Sequence, residues 1–427
     1  MASADRARPT NKFTFTITIT SSAAMAALLP AFHSLPLPIA QLSLAVVLKC
    51  GQSFRWTVLP DADDTEYRLC LRDRVVCLRQ SPTTLFYRAV YPDPQPTPTQ
   101  QALRDAETLV WLNDYFQLDI DLVTLYDEWS VRDPVFARMQ SRFQGIRVLR
   151  QDPWENLISF ICSSNNNIAR ITKMVQALCT QYSPPLLSFP GEDAKYHPFP
   201  PPSVLSEPGV SATLRSLGFG YRADFIHRTA KMLVGIHGKH NPSEASESWL
   251  VGLRNTTTDE AREELLKFVG VGRKVADCVL LMSLDKKEVV PVDTHVYQIA
   301  MRYYGLKGTS SSNGKKVNMS SKIYNDVSTK LFNVWGDSAG WAHSVLFTAD
   351  LKSFASYGLP TPAGPTSSPQ KILMQKDLLP TLSMAPLLSP LKRTHSEVIV
   401  DNPMNAGDDA SLTLSLAERV KRRRRVA

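Results

Sequence analysis

Between Leu35 and Tyr91 the apolar residues come in short runs, SLAVVLK, SFRWTVL, EYRLCLR, RVVCLRQ and TLFYRAVY, divided by polar or Pro/Asp breaks. Runs of this length, rich in β-branched and aromatic residues, predict antiparallel strands. Pro92 to Thr99 is a proline-rich connector. From Thr108 the apolar spacing turns helical, in LVWLNDYF and IDLVTLYDEW, and stays so to about Ser353. Two loop-like insertions interrupt it, the proline-rich 183–208 and GTSSSNGKKVNMSS at 308–321. Beyond Ser353, Pro, Ser, Thr and Leu dominate without a sustained period, which predicts disorder. The fold class is α+β, an N-terminal antiparallel sheet domain followed by a helical domain. The expected divisions are a flexible tail over 1–33, a sheet domain with helices over 34–150, a helical domain over 151–355 and a disordered basic tail over 356–427.

In the helical half the stretch LLKFVGVGRKVADCVLLMSLDKKEVVPVDTH, from Leu265 to His295, reads as helix, glycine turn, helix, loop and helix start. Gly270 and Gly272 flank Val271, and glycine takes positive φ at no steric cost. Lys274 follows in the first turn of the next helix, at the positive end of its dipole. That place disfavours an ammonium group, and a neutral amine is what a nucleophile needs. Asp293 stands where the third helix should be capped. Exposed N–H groups at a helix start suit a phosphate. An amine and a carboxylate beside a bound nucleic-acid backbone suggest attack on a sugar carbon and a Schiff base.

Composition narrows the field. The 427 residues allow two or three domains, and 43% hydrophobic with 21% charged is ordinary for a soluble globular chain. No apolar run reaches membrane-spanning length, so no membrane partner is expected. The net charge of +8 is concentrated at the ends: residues 356–427 hold ten basic and six acidic side chains. Bulk charge therefore does not mark a nucleic-acid binder, and local patches must. The six cysteines, at 50, 70, 77, 162, 179 and 278, have no C-x-x-C spacing. Neither zinc nor an iron–sulfur cluster is expected, no metal or cofactor is called for, and free thiols in a reducing compartment fit best. The terminal run Lys421 to Arg425 reads as a nuclear localisation signal, with Lys392-Arg393 as a second half. A mitochondrial presequence over 1–33 would permit a second pool, although its arginines are few and Asp5 counts against it.

With GQSFRW at 51–56, FICSSNNNIARI at 160–171, GFGYRADF at 218–225 and AGWAHSVLFTADL at 339–351, the Leu265–His295 stretch resembles the 8-oxoguanine DNA glycosylase/AP lyases of the helix–hairpin–helix superfamily. The five blocks occur in consistent order over about Leu35 to Ser353. The resemblance implies a multifunctional base excision repair enzyme acting as a monomer on double-stranded DNA containing 8-oxoguanine, with downstream repair enzymes as partners. Lys274 would be the nucleophile at C1′, and Asp293 would stabilise the charge developing on the sugar. Gly51, Cys278, Pro291, Asp293, His343 and Phe347 would hold the flipped base. Asn165, Arg170 and Arg222 would hold the cytosine left behind, and Tyr221 would enter the base stack. Gly270, Gly272 and His295 would meet backbone phosphate. Taken alone, an asparagine run is more often a helix cap, and a lone arginine a surface charge. Two positions depart from the family: His343 stands where glutamine is usual, and Val269 where proline is common. An imidazole lacks the paired donor and acceptor of an amide, so reading of the base edge should differ.

Overall fold

The computed structural model describes residues 29–60, 65–237, 242–306 and 319–359. The expectations for most of 1–33, for the bulk of the 308–321 insertion and for the C-terminal tail fall outside the described residues.

A five-stranded antiparallel sheet opens the fold. Its strands are β1 (His33–Pro36), β2 (Thr57–Pro60), β3 (Thr65–Cys70), β4 (Val75–Gln80) and β5 (Thr84–Val90), in spatial order β1-β5-β4-β3-β2. Tyr67 pairs with Leu78 and Leu78 with Tyr87, so one face presents a row of large apolar side chains. Helix α1 (Leu44–Val47) and α2 (Pro98–Tyr115) supply Leu44, Val47, Leu112 and Tyr115 to that face. The opposite face, with Cys70, Val75, Cys77 and Val90, packs on Phe189 and Tyr196. Burial on both sides explains why the strands read as nearly continuous apolar runs.

Three details differ from the sequence reading. SLAVVLK is helix α1 rather than a strand, because Ser43 to Leu48 must turn back under the sheet to bury Leu44, Val46 and Val47. Helix α2 begins at Pro98, well before Thr108, where Thr97 and Gln100 form a reciprocal capping box. The 183–208 segment is ordered: a small hairpin of β6 (Leu187–Ser188) and β7 (Lys195–Tyr196) covers the sheet. Its Glu192 and Tyr196 accept from the buried Arg68 at 2.8 and 3.0 Å. Sheet packing also reaches into the expected tail, where Phe32 lies under the guanidinium of Arg88, 4.3 Å from its ring centre.

The larger core belongs to the helices. Helices α3 (Leu122–Arg132), α4 (Pro134–Met139), α5 (Pro153–Ile161) and α6 (Ile168–Tyr182) precede the hairpin. After it come α7 (Pro202–Leu205), α8 (Val210–Ser216), α9 (Arg222–His237), α10 (Pro242–Gly252), α11 (Thr258–Leu266), α12 (Arg273–Ser283), α13 (Thr294–Tyr303), α14 (Ser321–Trp335) and α15 (Ala339–Asp350). Cys50 and Phe54, from the sheet half, are buried in this helical core. That anchoring carries Gly51 into the helical half.

Candidate active site

Helix α11 starts on a Thr257/Glu260 capping box and ends at Leu266, with Lys267 as its C-cap, and the chain then turns through Gly270 into α12. Gly270 has φ +83°, and a Cβ there would meet the Phe225 ring at 2.4 Å, so only glycine fits. Gly272 does different work. Its φ of −96° is ordinary, it caps α12 with no side chain, and nothing lies within 4 Å of where its Cβ would be. Among the described residues the first-turn N–H groups of α12 are thus left open, as an anion site requires.

Lys274 is the second residue of α12, but its amine does not stay at that helix end. It lies over the Phe160 ring, 4.8 Å from the centre, and donates to Ser163 Oγ at 3.3 Å. Phe160 lies in the last turn of α5, and Ser163 follows its C-cap Cys162. The dipole argument from the sequence therefore describes the main chain of Lys274, while its amine lies beside the C-terminal end of α5.

Asp293 caps α13 as expected. Its Oδ1 accepts from His295 N and Val296 N, both at 2.9 Å, and among the described residues Oδ2 is left free for the cavity. Cys278, one turn beyond Lys274, is buried, and burial pushes its thiol up to about 11 against the opposing pull of the Lys274 charge.

A cavity of about 380 Å³ collects Lys274, Asp293, Cys278, Gly51, His343 and Phe347. Pro291 and His295 line it as well. Gly51, at φ +91°, is pressed against Ile168, with room for a Cβ only 2.8 Å from Cδ1. The neighbouring Gln52 locks this turn: its amide donates to Arg147 O at 3.0 Å and accepts from Leu149 N at 2.9 Å. Among the described residues nothing donates to the Gly51 carbonyl. His343 is 6% exposed, and among the described residues neither ring nitrogen has a hydrogen-bond partner. Burial lowers its pKa to about 4, reinforced by the Lys274 charge and opposed by Asp293 and by the Gly340 carbonyl, which lies close without forming a hydrogen bond. It is a neutral imidazole with one donor and one acceptor unspent.

Asn165, Arg170, Tyr221 and Arg222 lie outside the cavity lining, around the turn that follows α5 and the 218–222 segment. Asn165 is exposed in a left-handed turn at φ 49°, and Asn167, not Asn165, caps α6 by accepting from Arg170 N. Arg170 is exposed and reaches Gly218 O at 3.2 Å. Tyr221 is 47% exposed and donates to Ser164 O at 3.1 Å. Arg222 is 3% exposed, and its guanidinium donates to the carbonyls of Ser164, Asn165 and Phe219. Sequence reasoning missed Ser163, Gln52 and Asn166, which also line the cavity. All three lie within the blocks quoted above, but only the folded geometry turns them inward.

Sheet, hairpin and cavity together define a class. Residues 158–325 match the HhH-GPD superfamily of base excision DNA repair proteins. Residues 34–157 match the N-terminal domain of 8-oxoguanine DNA glycosylase. The chain is 36% identical over 340 residues to an N-glycosylase/DNA lyase of Saccharomyces cerevisiae, covering 75% of this chain and 86% of that protein. It is 36% identical over 326 residues to an Arabidopsis thaliana N-glycosylase/DNA lyase, covering 75% and 81%. Among solved structures it is similar to Clostridium acetobutylicum 8-oxoguanine glycosylase/lyase in complex with double-stranded DNA containing cytosine opposite 8-oxoguanine. That likeness has a TM-score of 0.58 at 26% identity and covers 75% of this chain and 97% of the other. The chain belongs to the 8-oxoguanine DNA glycosylase family.

Proposed function

We propose that this protein is a bifunctional base excision repair enzyme that removes 8-oxoguanine opposite cytosine and then cuts the strand. The observation that carries the reading is the convergence of an amine, a free carboxylate oxygen and an unpaired imidazole on one cavity wide enough for a nucleobase. A base reaches such a cavity only by leaving the duplex.

In the proposed reaction the lone pair of Lys274 Nζ attacks C1′ and the bond to the base breaks. The departing base keeps the electron pair and takes up the proton that Nζ loses on bonding to C1′. Asp293 Oδ2 faces the positive charge that develops on the sugar. Ring opening gives an imine between C1′ and Nζ. Loss of a C2′ proton then expels the 3′ phosphate, and water releases the lysine. The unpaired Gly51 carbonyl is the acceptor offered to N7–H, a hydrogen that undamaged guanine lacks; an unmade partner costs about 1–3 kcal/mol. Phe347 and Cys278 sandwich the base, Pro291 closes its pocket, and His343 faces its edge. Asn165 and Arg170 donate to the opposite cytosine while Arg222 braces the turn that carries Asn165. Tyr221 enters the stack, and Gly270, Gly272 and His295 hold phosphate. The division into a sheet domain over 34–150 and a catalytic domain over 151–355 goes with this reading, as do a monomeric state and nuclear targeting by the C-terminal basic run.

Borohydride trapping on 8-oxoguanine duplex DNA tests it. The wild type should form a covalent adduct, and Lys274→Gln should lose the adduct while keeping DNA binding. Equal trapping by the variant would sink the assignment. A non-catalytic clamp on damaged DNA would trap nothing at all.

A further inference from the structure

We infer that Tyr324 is a positioning residue that ties the main chain carrying Asp293 to the helix carrying Lys274. The inference rests on the roles proposed above for those two residues. Tyr324 is buried in the first turn of α14. Its phenol donates to Asp277 Oδ2 at 2.7 Å and accepts from the Val292 N–H at 3.0 Å. Asp277 lies on α12 one turn after Lys274 and is 1% exposed. Its Oδ1 accepts from Arg262 Nε at 2.7 Å, and Arg273 Nε approaches Oδ2 at 3.4 Å. Val292 immediately precedes Asp293. One phenol oxygen thus connects the backbone beside the carboxylate to a side chain on the helix of the amine.

The hydroxyl does more than fill space. Phenylalanine would supply the same packing, yet a buried oxygen between a charged acceptor and a peptide donor fixes direction as well as distance. The chain between α12 and α13 has no regular structure of its own. Its Lys286, Lys287 and Val289 amides are bonded locally, Pro291 has no N–H, and Val290 makes no main-chain bond. Among the described residues, the Val292–Tyr324 bond is therefore the one hydrogen bond to main chain from Val290 to Val292. Burial and the Asp277 charge raise the phenol's pKa, so it remains a donor to Asp277.

Single-turnover excision with a double-mutant cycle tests the tie. Tyr324→Phe should lower the rate about tenfold or more at unchanged affinity for the duplex, since small misplacements of reacting groups are costly. In an Asp293→Asn background the same change should cost less than about twofold, because no carboxylate is left to aim. A loss of equal factor in both backgrounds, or affinity falling together with rate, would overturn the inference. A wild-type rate for Asp293→Asn alone would instead overturn the role of Asp293 on which it rests. Hydrogen exchange gives a measure independent of activity. The Val292 amide should exchange in the wild type only on global unfolding, and in Tyr324→Phe by faster local opening. Rapid exchange in the folded wild type would overturn the inference even if the variant failed to fold.

Discussion

The amine of Lys274 and the hydroxyl of Ser163 stand 3.3 Å apart, and the direction of that bond is fixed. Ser163 Oγ donates to Phe160 O at 2.7 Å, so its one proton is spent. It can only accept from Lys274. One N–H of the amine is thereby pinned toward α5, which turns the remaining valences toward the cavity.

Ser163→Ala should accordingly slow imine formation several-fold without weakening DNA binding, and Ser163→Thr should restore most of the rate. The expected size corresponds to one hydrogen bond, about 0.5–1.5 kcal/mol. The rate of borohydride-trapped adduct formation under saturating enzyme checks it, and an unchanged rate for Ser163→Ala would show that the amine needs no such anchor.

His343 should make the protein acid-sensitive. Its folded pKa of about 4 lies below the ordinary histidine value of 6.5, because burial and Lys274 oppose the charge more than Asp293 favours it. Above pH 6.5 the ring is neutral in both states and contributes nothing to the pH dependence. Between 6.5 and 4 the unfolded chain takes up a proton that the folded one refuses, so stability falls as pH falls. At about 1.4 kcal/mol per pKa unit the full effect is roughly 3 kcal/mol. His343→Gln should remove this slope while leaving excision intact or improved. Urea unfolding of both proteins from pH 7 to 4 checks the first part, and parallel slopes would contradict the burial of a neutral ring.

Much of this was legible in the chain, and the exceptions share a cause. The Gly270 turn, the Asp293 cap and the strand runs at 66–70, 75–80 and 84–90 depend on local spacing, which a sequence displays directly. SLAVVLK misled because a short apolar run looks the same as helix or strand. The 183–208 segment looked like a loop because its two strands are only two residues each, and what orders it is the distant Arg68. The burial of Arg222 and the Ser163–Lys274 bond likewise join residues far apart in sequence. No periodicity encodes such pairs.

The cysteines offer a direct check on burial. All six are free and buried, and the Cys278 thiol is pushed up to about 11 chiefly by burial. Thiolate, not thiol, reacts with Ellman's reagent. None of the six should react within minutes at pH 7.5 in the native protein, and all six should react in guanidinium. Prompt native labelling mapped to Cys278 would mean that Lys274 holds it as a thiolate and that the cavity wall is charged.

The two hairpin glycines should separate stability from binding. Alanine at Gly270 must adopt φ near +83° and drive its methyl into the Phe225 ring, 2.4 Å away. Left-handed strain of about 1–2 kcal/mol and an overpacking cost of about 1–3 kcal/mol both apply, so a loss of roughly 3 kcal/mol is expected. At Gly272 the backbone is unstrained and the space is open. Gly272→Ala should cost about 1 kcal/mol or less in folding, since alanine is only a poorer cap. Its methyl would nevertheless stand at the open N–H groups of α12, where a DNA phosphate is proposed to sit. The variant should therefore fold nearly as well as wild type and bind duplex DNA several-fold more weakly, by denaturant midpoint and by fluorescence anisotropy. Were Gly272→Ala to bind normally, the phosphate would have to be held elsewhere, and the hairpin would be a structural turn that happens to adjoin the catalytic lysine.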